Sequence, residues 1–210
     1  MLPFSAEQFF AVFARYNEAI WPAQIVAYAA GAGVVVLTMV RRRWSGTAVA
    51  IVLAALWLWT GVAYHALHFA PINRLAYVFA GLYALQAALW VWQGRRLRFS
   101  GASAAATGLA VALIAYAAIV YPAVGWAAGH AYPAAPTFGV TPCPLTLFSL
   151  GVLLLAPSAP RLLYVVPLLW SLIGGSAAVL LDVPQDWALL VGGPLAVGVL
   201  LFGRGAISRA

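Results

Sequence analysis

The chain has 210 residues, of which 65% are hydrophobic and only 7% are charged. A soluble globular domain is about a quarter charged and about half apolar, so this composition excludes a water-soluble globule. The net charge of +7 comes from arginines that mostly lie in short connections between apolar spans, which is typical of membrane topology signals and not of a nucleic-acid-binding face. The sequence contains no lysine, which excludes a retinal Schiff base.

Residues 1–20 are predicted to form an amphipathic helix that lies in the membrane interface and is retained, since no cleavage site follows a basic region. Ser5 and Gln8 have the spacing of a capping box, which marks a helix N-terminus. At about 100° per residue, one face of this helix is aromatic and apolar. The residues on that face are Phe9, Phe13, Tyr16 and Ile20.

Seven apolar spans follow the interfacial helix, each bounded by turn residues or arginines. A helix needs about 20 apolar residues to cross a bilayer, so the spans nearly exhaust the chain. The sequence therefore predicts a single all-α integral membrane domain over residues 1–210, a seven-helix transmembrane bundle. The predicted spans are residues 21–40, 47–69, 74–93, 102–121, 142–156, 162–181 and 187–202.

The charged residues predict an orientation for this bundle. If the arginines that follow the first span are cytoplasmic, nine of the eleven arginines fall inside, with Arg15 and Arg74 as the exceptions. The acidic residues all fall outside. The N-terminus is therefore predicted to be outside and the C-terminus cytoplasmic. The acidic residues concerned are Glu7, Glu18, Asp182 and Asp186.

The loop 122–141 and the short span that follows it predict a cavity on the outer side. Residues 130–144 contain four prolines, which favour a stiff, ordered loop over helix or central strand. The fifth span has about 15 apolar residues against the about 20 that a crossing needs. Irregular backbone below the membrane surface is tolerated where protein or water surrounds it, so we expect this loop to cover a cavity.

Histidine and cysteine residues on the predicted outer side form a candidate metal site. His65 and His68 are one helical turn apart and should share a face of the second span. Two imidazoles at this spacing bind a transition metal when His130, Cys143 or a carboxylate completes the coordination. The alternative is that the histidines are interfacial and hydrogen-bond to backbone carbonyls or water.

Other polar residues on the same side are candidate ligands for a small polar solute. Polar groups within apolar spans face the bundle interior, where they line a pathway or join helices by hydrogen bonds. Glu18 is alternatively a solvated helix end, and Asp182 or Asp186 a helix cap. The candidates are Glu18, Gln24, Tyr28, Asn73 and Asp182.

Two segments carry a resemblance to a known family. Residues 15–24 read RYNEAIWPAQ, and residues 132–144 read YPAAPTFGVTPCP. Both are similar to motifs of a family of small multi-spanning bacterial membrane proteins of unknown function, and the similarity covers nearly the whole chain. The resemblance implies a bacterial inner-membrane protein, and it implies no activity, substrate or catalytic residue.

The sequence favours a membrane protein whose outward-facing polar cavity binds a metal ion or a small polar solute for transport or sensing. Two alternatives stay open: a non-catalytic membrane subunit or scaffold, and an intramembrane enzyme that uses a histidine–carboxylate pair. No catalytic or nucleotide-binding motif is present. The lipid bilayer is the expected environment, nucleic acid is not an expected partner, and a homo-oligomer stays open.

Overall fold

A computed structural model describes residues 3–40 and 42–202, and these residues form eight helices and no strand. The third helix ends in a π-helical segment, and a short 3-10 turn precedes the eighth. The arginines 41, 204 and 209, which the orientation prediction uses, lie outside the described residues. The helices are α1 (Ala6–Ala19), α2 (Ala23–Val40), α3 (Ser45–Phe69), α4 (Ala76–Gln93), α5 (Ala104–Ala127), α6 (Pro142–Leu154), α7 (Leu162–Leu180) and α8 (Trp187–Phe202).

Five helices of the described chain are long and apolar enough to cross a membrane, which makes this a multi-pass membrane protein. They are α2, α3, α5, α7 and α8 together with the turn before it. Each predicted span coincides with a helix, and α5 departs furthest from its predicted end because it continues to Ala127. The first part of the predicted loop 122–141 is therefore helical.

Helix α6 lies at the centre of the fold. Every residue from Pro142 to Leu154 is buried, because α3, α5, α7 and α8 surround this helix. A helix enclosed by protein does not have to match the thickness of the bilayer. This explains how the fifth apolar segment remains short.

Helix α1 packs on the protein. The predicted capping box is present, with the Gln8 amide donating to Ser5 Oγ at 3.2 Å and the Ser5 amide donating to Gln8 Oε1 at 2.9 Å. The aromatic face of α1 contacts the π-helical end of α3, where the Phe13 ring stacks on Tyr64 with centroids 5.2 Å apart. The apolar face that the sequence assigns to lipid is thus buried against α3 and adjoining residues.

The π-helical segment Thr60–Phe69 changes which residues of α3 share a face. A π-helix pairs residues five apart, as in the bond from the Ala70 amide to the His65 carbonyl, and is wider than an α-helix. Residues three apart are then no longer aligned along the helix. The prediction that His65 and His68 share one face assumed α-helical spacing, which this segment does not have.

Candidate functional site

A cavity of about 180 Å³ lies beneath α1, between the end of α3, the start of α4, the first turn of α6 and the second half of α7. Its walls are mainly aromatic and aliphatic, where the sequence led us to expect a polar cavity. The aromatic wall residues include Phe4, Phe9, Phe13, Phe69 and Phe79. The residues with polar side-chain atoms at its inner end are Tyr64, His65, Cys143, Trp170 and Asp186.

His65 is the most unusual residue of this cavity. Its side chain is only 1% exposed, and neither ring nitrogen has a hydrogen-bond partner. Its ring is enclosed by Phe79, Tyr83 and Trp170, with centroids 5.7, 4.8 and 5.0 Å away. A neutral imidazole has one donor and one acceptor, so His65 presents two unsatisfied polar atoms in a buried position.

Asp186 brings a carboxyl group to the same cavity. It ends the turn Pro184–Asp186, is 1% exposed, and accepts a hydrogen bond from the Tyr121 hydroxyl at 2.5 Å. Its position directly before the N-terminus of α8 suits a negative charge, since the helix dipole is positive there. The thiol of Cys143 lies close to both Asp186 and Tyr121. Three elements distant in sequence therefore meet at the inner end of the cavity.

The four predicted metal ligands are placed in three environments. His65 and Cys143 line the cavity together. The Nδ1 atom of His68 is 2.7 Å from the Ala63 carbonyl oxygen, and its ring contacts Tyr16. The ring of His130 stacks on Phe10 at 3.8 Å, in a separate cleft lined by Trp126 and Tyr132. In the ranges 3–40 and 42–202, no three His, Cys, Asp or Glu residues are placed to hold a metal ion.

The five predicted solute ligands also separate. Asn73 lines the cavity, and its Oδ1 atom accepts from the Leu75 amide at 3.2 Å at the start of α4. The other four lie elsewhere. Gln24 is buried and donates to the Asn17 carbonyl at 2.8 Å, and the partly exposed Tyr28 hydroxyl donates to the Ala118 carbonyl at 3.2 Å. Glu18 and Asp182 are exposed to the surroundings.

Asn17 joins the two motifs that carry the family resemblance. Its Nδ2 atom donates to the carbonyls of Pro133 and Ala135, both at 2.7 Å, and its Oδ1 atom accepts from the Thr137 hydroxyl at 2.9 Å. The proline-rich loop has few backbone donors of its own, and the Asn17 amide supplies two to its carbonyls. The side chain is fully buried. Residues 15–24 therefore hold residues 132–144 in place above α6.

Tyr16 adds a second attachment for this loop. Its hydroxyl donates to the Val140 carbonyl at 2.7 Å and accepts from Trp59 Nε1 at 3.0 Å. Burial raises the pKa of Tyr16, so the hydroxyl keeps the proton that it donates. Adjacent residues of α1 thus attach the loop at both ends of the segment 133–140.

Sequence reasoning missed Asp186 and Trp170 as cavity residues, and Tyr121 as the hydrogen-bond donor to Asp186. Asp182 and Asp186 both lie in a short outer turn, and the sequence alone gives no reason to distinguish them. In the structure Asp182 follows α7 with a positive φ of 53° and is exposed, whereas Asp186 turns inward before α8. The sequence feature that could have identified Asp186 is that it stands immediately before an apolar span.

Comparison with other proteins gives a family and no activity. No curated protein and no solved structure shows significant similarity to the chain. The model of one family, described as a family of unknown function, matches residues 6–209 and so includes both motifs joined by Asn17. Because the match covers nearly the whole chain, the protein belongs to the family of unknown function DUF6064.

Proposed function

We propose that this protein is a seven-span protein of the bacterial inner membrane that binds a small molecule in the cavity beneath α1, for sensing or for transport. The observation that carries the proposal is His65, which is buried in the cavity wall with both ring nitrogens unpaired. Leaving a buried donor or acceptor unsatisfied costs about 1–3 kcal/mol per group. A bound molecule that pairs with these nitrogens would recover that free energy.

The proposed topology counts α4 and α6 as spans in addition to the five long apolar helices. Helix α4 has 18 residues and α6 has 13, with α6 wholly enclosed by other helices. Seven crossings put the two termini on opposite sides of the membrane. The arginine distribution then places the connection between α2 and α3 in the cytoplasm and the cavity on the outer side.

Reporter fusions test this orientation. Green fluorescent protein inserted after Arg43 should fluoresce, and alkaline phosphatase inserted after Gly129 should be active, because the first site is cytoplasmic and the second is outside. The same reporters exchanged between the two sites serve as controls and should be inactive. Phosphatase activity at Arg43 with fluorescence at Gly129 would reverse the proposed topology.

Sensing or the outward-facing step of transport fits the shape of the cavity. Only Pro142 and Cys143 of α6 reach it, and the rest of this helix is packed in the core. The cavity is therefore closed toward the predicted cytoplasmic side. Phe9 and Phe13 of α1 form part of the cavity lining, so a molecule bound in the cavity would restrict the movement of α1.

An intramembrane enzyme is the second candidate, because His65, Cys143 and Asp186 line one cavity. An imidazole and a carboxyl group facing the same bound molecule are suited to acid–base chemistry. In this structure Asp186 accepts its hydrogen bond from Tyr121, and His65 has no hydrogen-bonded carboxylate. The geometry therefore supports binding more directly than catalysis.

His65→Leu separates a binding role from a structural one. The variant removes two unsatisfied polar atoms, so the empty protein should be as stable as wild type or more stable. Affinity for the bound molecule should fall about tenfold or more, because one or two hydrogen bonds are lost. The measurement is mass spectrometry of molecules extracted from protein purified in lipid nanodiscs, together with thermal unfolding.

His130→Leu is the matched control, since His130 lies in a separate cleft, and it should leave the extracted molecule unchanged. Elemental analysis of the same samples tests the metal alternative. A His65→Leu variant that is less stable and retains the same extracted molecule would contradict the proposal.

A further inference from the structure

The chemistry of the cavity narrows the class of molecule that it would bind. We infer that the ligand is a neutral, mainly apolar molecule with one small hydrogen-bonding head, and that it reaches the cavity from the outer leaflet between α4 and α7. This inference rests on the proposed function and specifies the ligand of the same cavity. It replaces the metal ion or polar solute that the sequence suggested.

The mouth of the cavity supports access from the bilayer. The exposed residues that line it include Leu75 in the turn before α4 and Ser176 and Leu180 in the last turns of α7. Leu75 is 60% exposed and Leu180 is 62% exposed. Leu180 lies in a membrane-spanning helix, so its exposed side chain faces lipid and this side of the opening is bordered by hydrocarbon.

The walls of the cavity select for an apolar body. Between the mouth and the inner end, the lining is formed mainly by phenylalanines of α1, α3 and α4 and by Ile173 and Ala177 of α7. These side chains offer no hydrogen bond to a polar solute. A molecule with several polar groups would lose its hydration along this wall without compensation.

The inner end of the cavity favours a ligand with a single uncharged hydrogen-bonding group. The enclosed ring of His65 holds one donor and one acceptor in fixed, divergent directions, and a hydroxyl group pairs with one of them, by donating to the unprotonated nitrogen or accepting from the protonated one. The buried Asp186 carboxyl group lines the same cavity, and moving an anionic head into this apolar enclosure costs far more free energy than moving a neutral one. An alcohol or a phenol has the required properties.

Cys143 is the only cysteine of the chain and lines the cavity, so it reports on access without any engineered label site. Two maleimides with the same reactive group are compared on protein in nanodiscs, each rate being divided by the rate of that reagent with glutathione. Apolar N-phenylmaleimide should label Cys143 about tenfold faster or more than charged N-(2-carboxyethyl)maleimide, since a carboxylate is costly to move along an apolar wall.

Narrowing the mouth should slow the apolar reagent. Ser176→Trp places a large side chain at the opening and should lower the N-phenylmaleimide rate by about tenfold. Leu172→Trp is the matched control, because Leu172 is exposed on the same helix and does not line the cavity. Equal rates for the two maleimides, no effect of Ser176→Trp, or labelling only after denaturation would overturn access from the bilayer.

A second comparison tests recognition of the head. 4-Hexylphenol and hexylbenzene have the same apolar body and differ only in the hydroxyl group. At equal mole fractions in the nanodisc, 4-hexylphenol should protect Cys143 from labelling about fivefold better, and His65→Leu should abolish the difference. Equal protection by both in the wild type would overturn the inferred ligand class.

These outcomes remain distinct from failure of the proposed function. If the inferred class is wrong but a molecule still co-purifies with the wild type and is lost from His65→Leu, the cavity binds a ligand of another kind. If no molecule co-purifies and neither probe protects Cys143, the binding function itself is contradicted.

Discussion

Replacing Asn17 by alanine is expected to lower the free energy of unfolding by about 3–5 kcal/mol, because buried hydrogen bonds are lost and their partners stay buried. The variant removes both donors to the Pro133 and Ala135 carbonyls and the acceptor for the Thr137 hydroxyl. Thermal unfolding in detergent micelles measures the loss. Limited proteolysis should show new cleavage within residues 130–141.

Two further variants sharpen this test. Asn17→Asp keeps the size and the acceptor for Thr137 but turns an oxygen toward the two loop carbonyls, so it should be at least as destabilising as alanine. Glu18→Ala, at the neighbouring exposed position, should change stability by no more than about 0.5 kcal/mol. Wild-type stability of Asn17→Ala would show that Asn17 does not hold the loop.

The five long apolar helices were predictable because their lengths match the thickness of a bilayer. Capping chemistry also predicted the start of α1, since Ser5 and Gln8 interact only with their own helix turn. The π-helical end of α3, which packs against α1 and α4, was not predictable, because hydrophobic periodicity does not distinguish a π-helix from an α-helix. The π-helical hydrogen-bond register affects the directions of the His65 and His68 side chains, so the spacing argument for a shared face does not apply to this segment.

The sequence indicated which residues are candidates for a site, but not which neighbouring elements their side chains contact. Of the four residues that the sequence grouped as metal ligands, His65 and Cys143 line one cavity. His130 lies in the loop after α5, whose path the sequence does not define, and the structure places it in another cleft. Asn17 was overlooked because its three partners lie more than 100 residues away in sequence.

The short helix α6 connects the fold with the cavity. Its N-terminal turn forms part of the cavity floor through Cys143, and the Asn17-anchored loop holds that turn in position. Its remaining turns are enclosed by other helices. A displacement of α6 would therefore alter the cavity as well as the core, so the proposed binding of a ligand requires close packing along α6.

Gly151 is the position where a larger side chain in α6 should be least tolerated. A Cβ atom at Gly151 would lie 2.9 Å from the Ala110 carbonyl oxygen and 2.8 Å from Ile114 Cγ1, both on α5. The carbonyl belongs to the backbone and cannot rotate away, so Gly151→Leu should force α5 and α6 apart. We expect a loss of about 3 kcal/mol or more, at the upper end of the cost of overpacking.

Gly108→Leu is the matched control for this prediction. Gly108 lies on the exposed face of α5, and a Cβ atom there would have no neighbour within 4 Å. Because leucine is a better helix former than glycine, this variant should be neutral or stabilising by up to about 1 kcal/mol. In thermal unfolding, Gly151→Leu should lower the stability, whereas Gly108→Leu should leave it unchanged or raise it. A Gly151→Leu protein as stable as wild type would mean that α5 and α6 do not approach as closely as this packing requires.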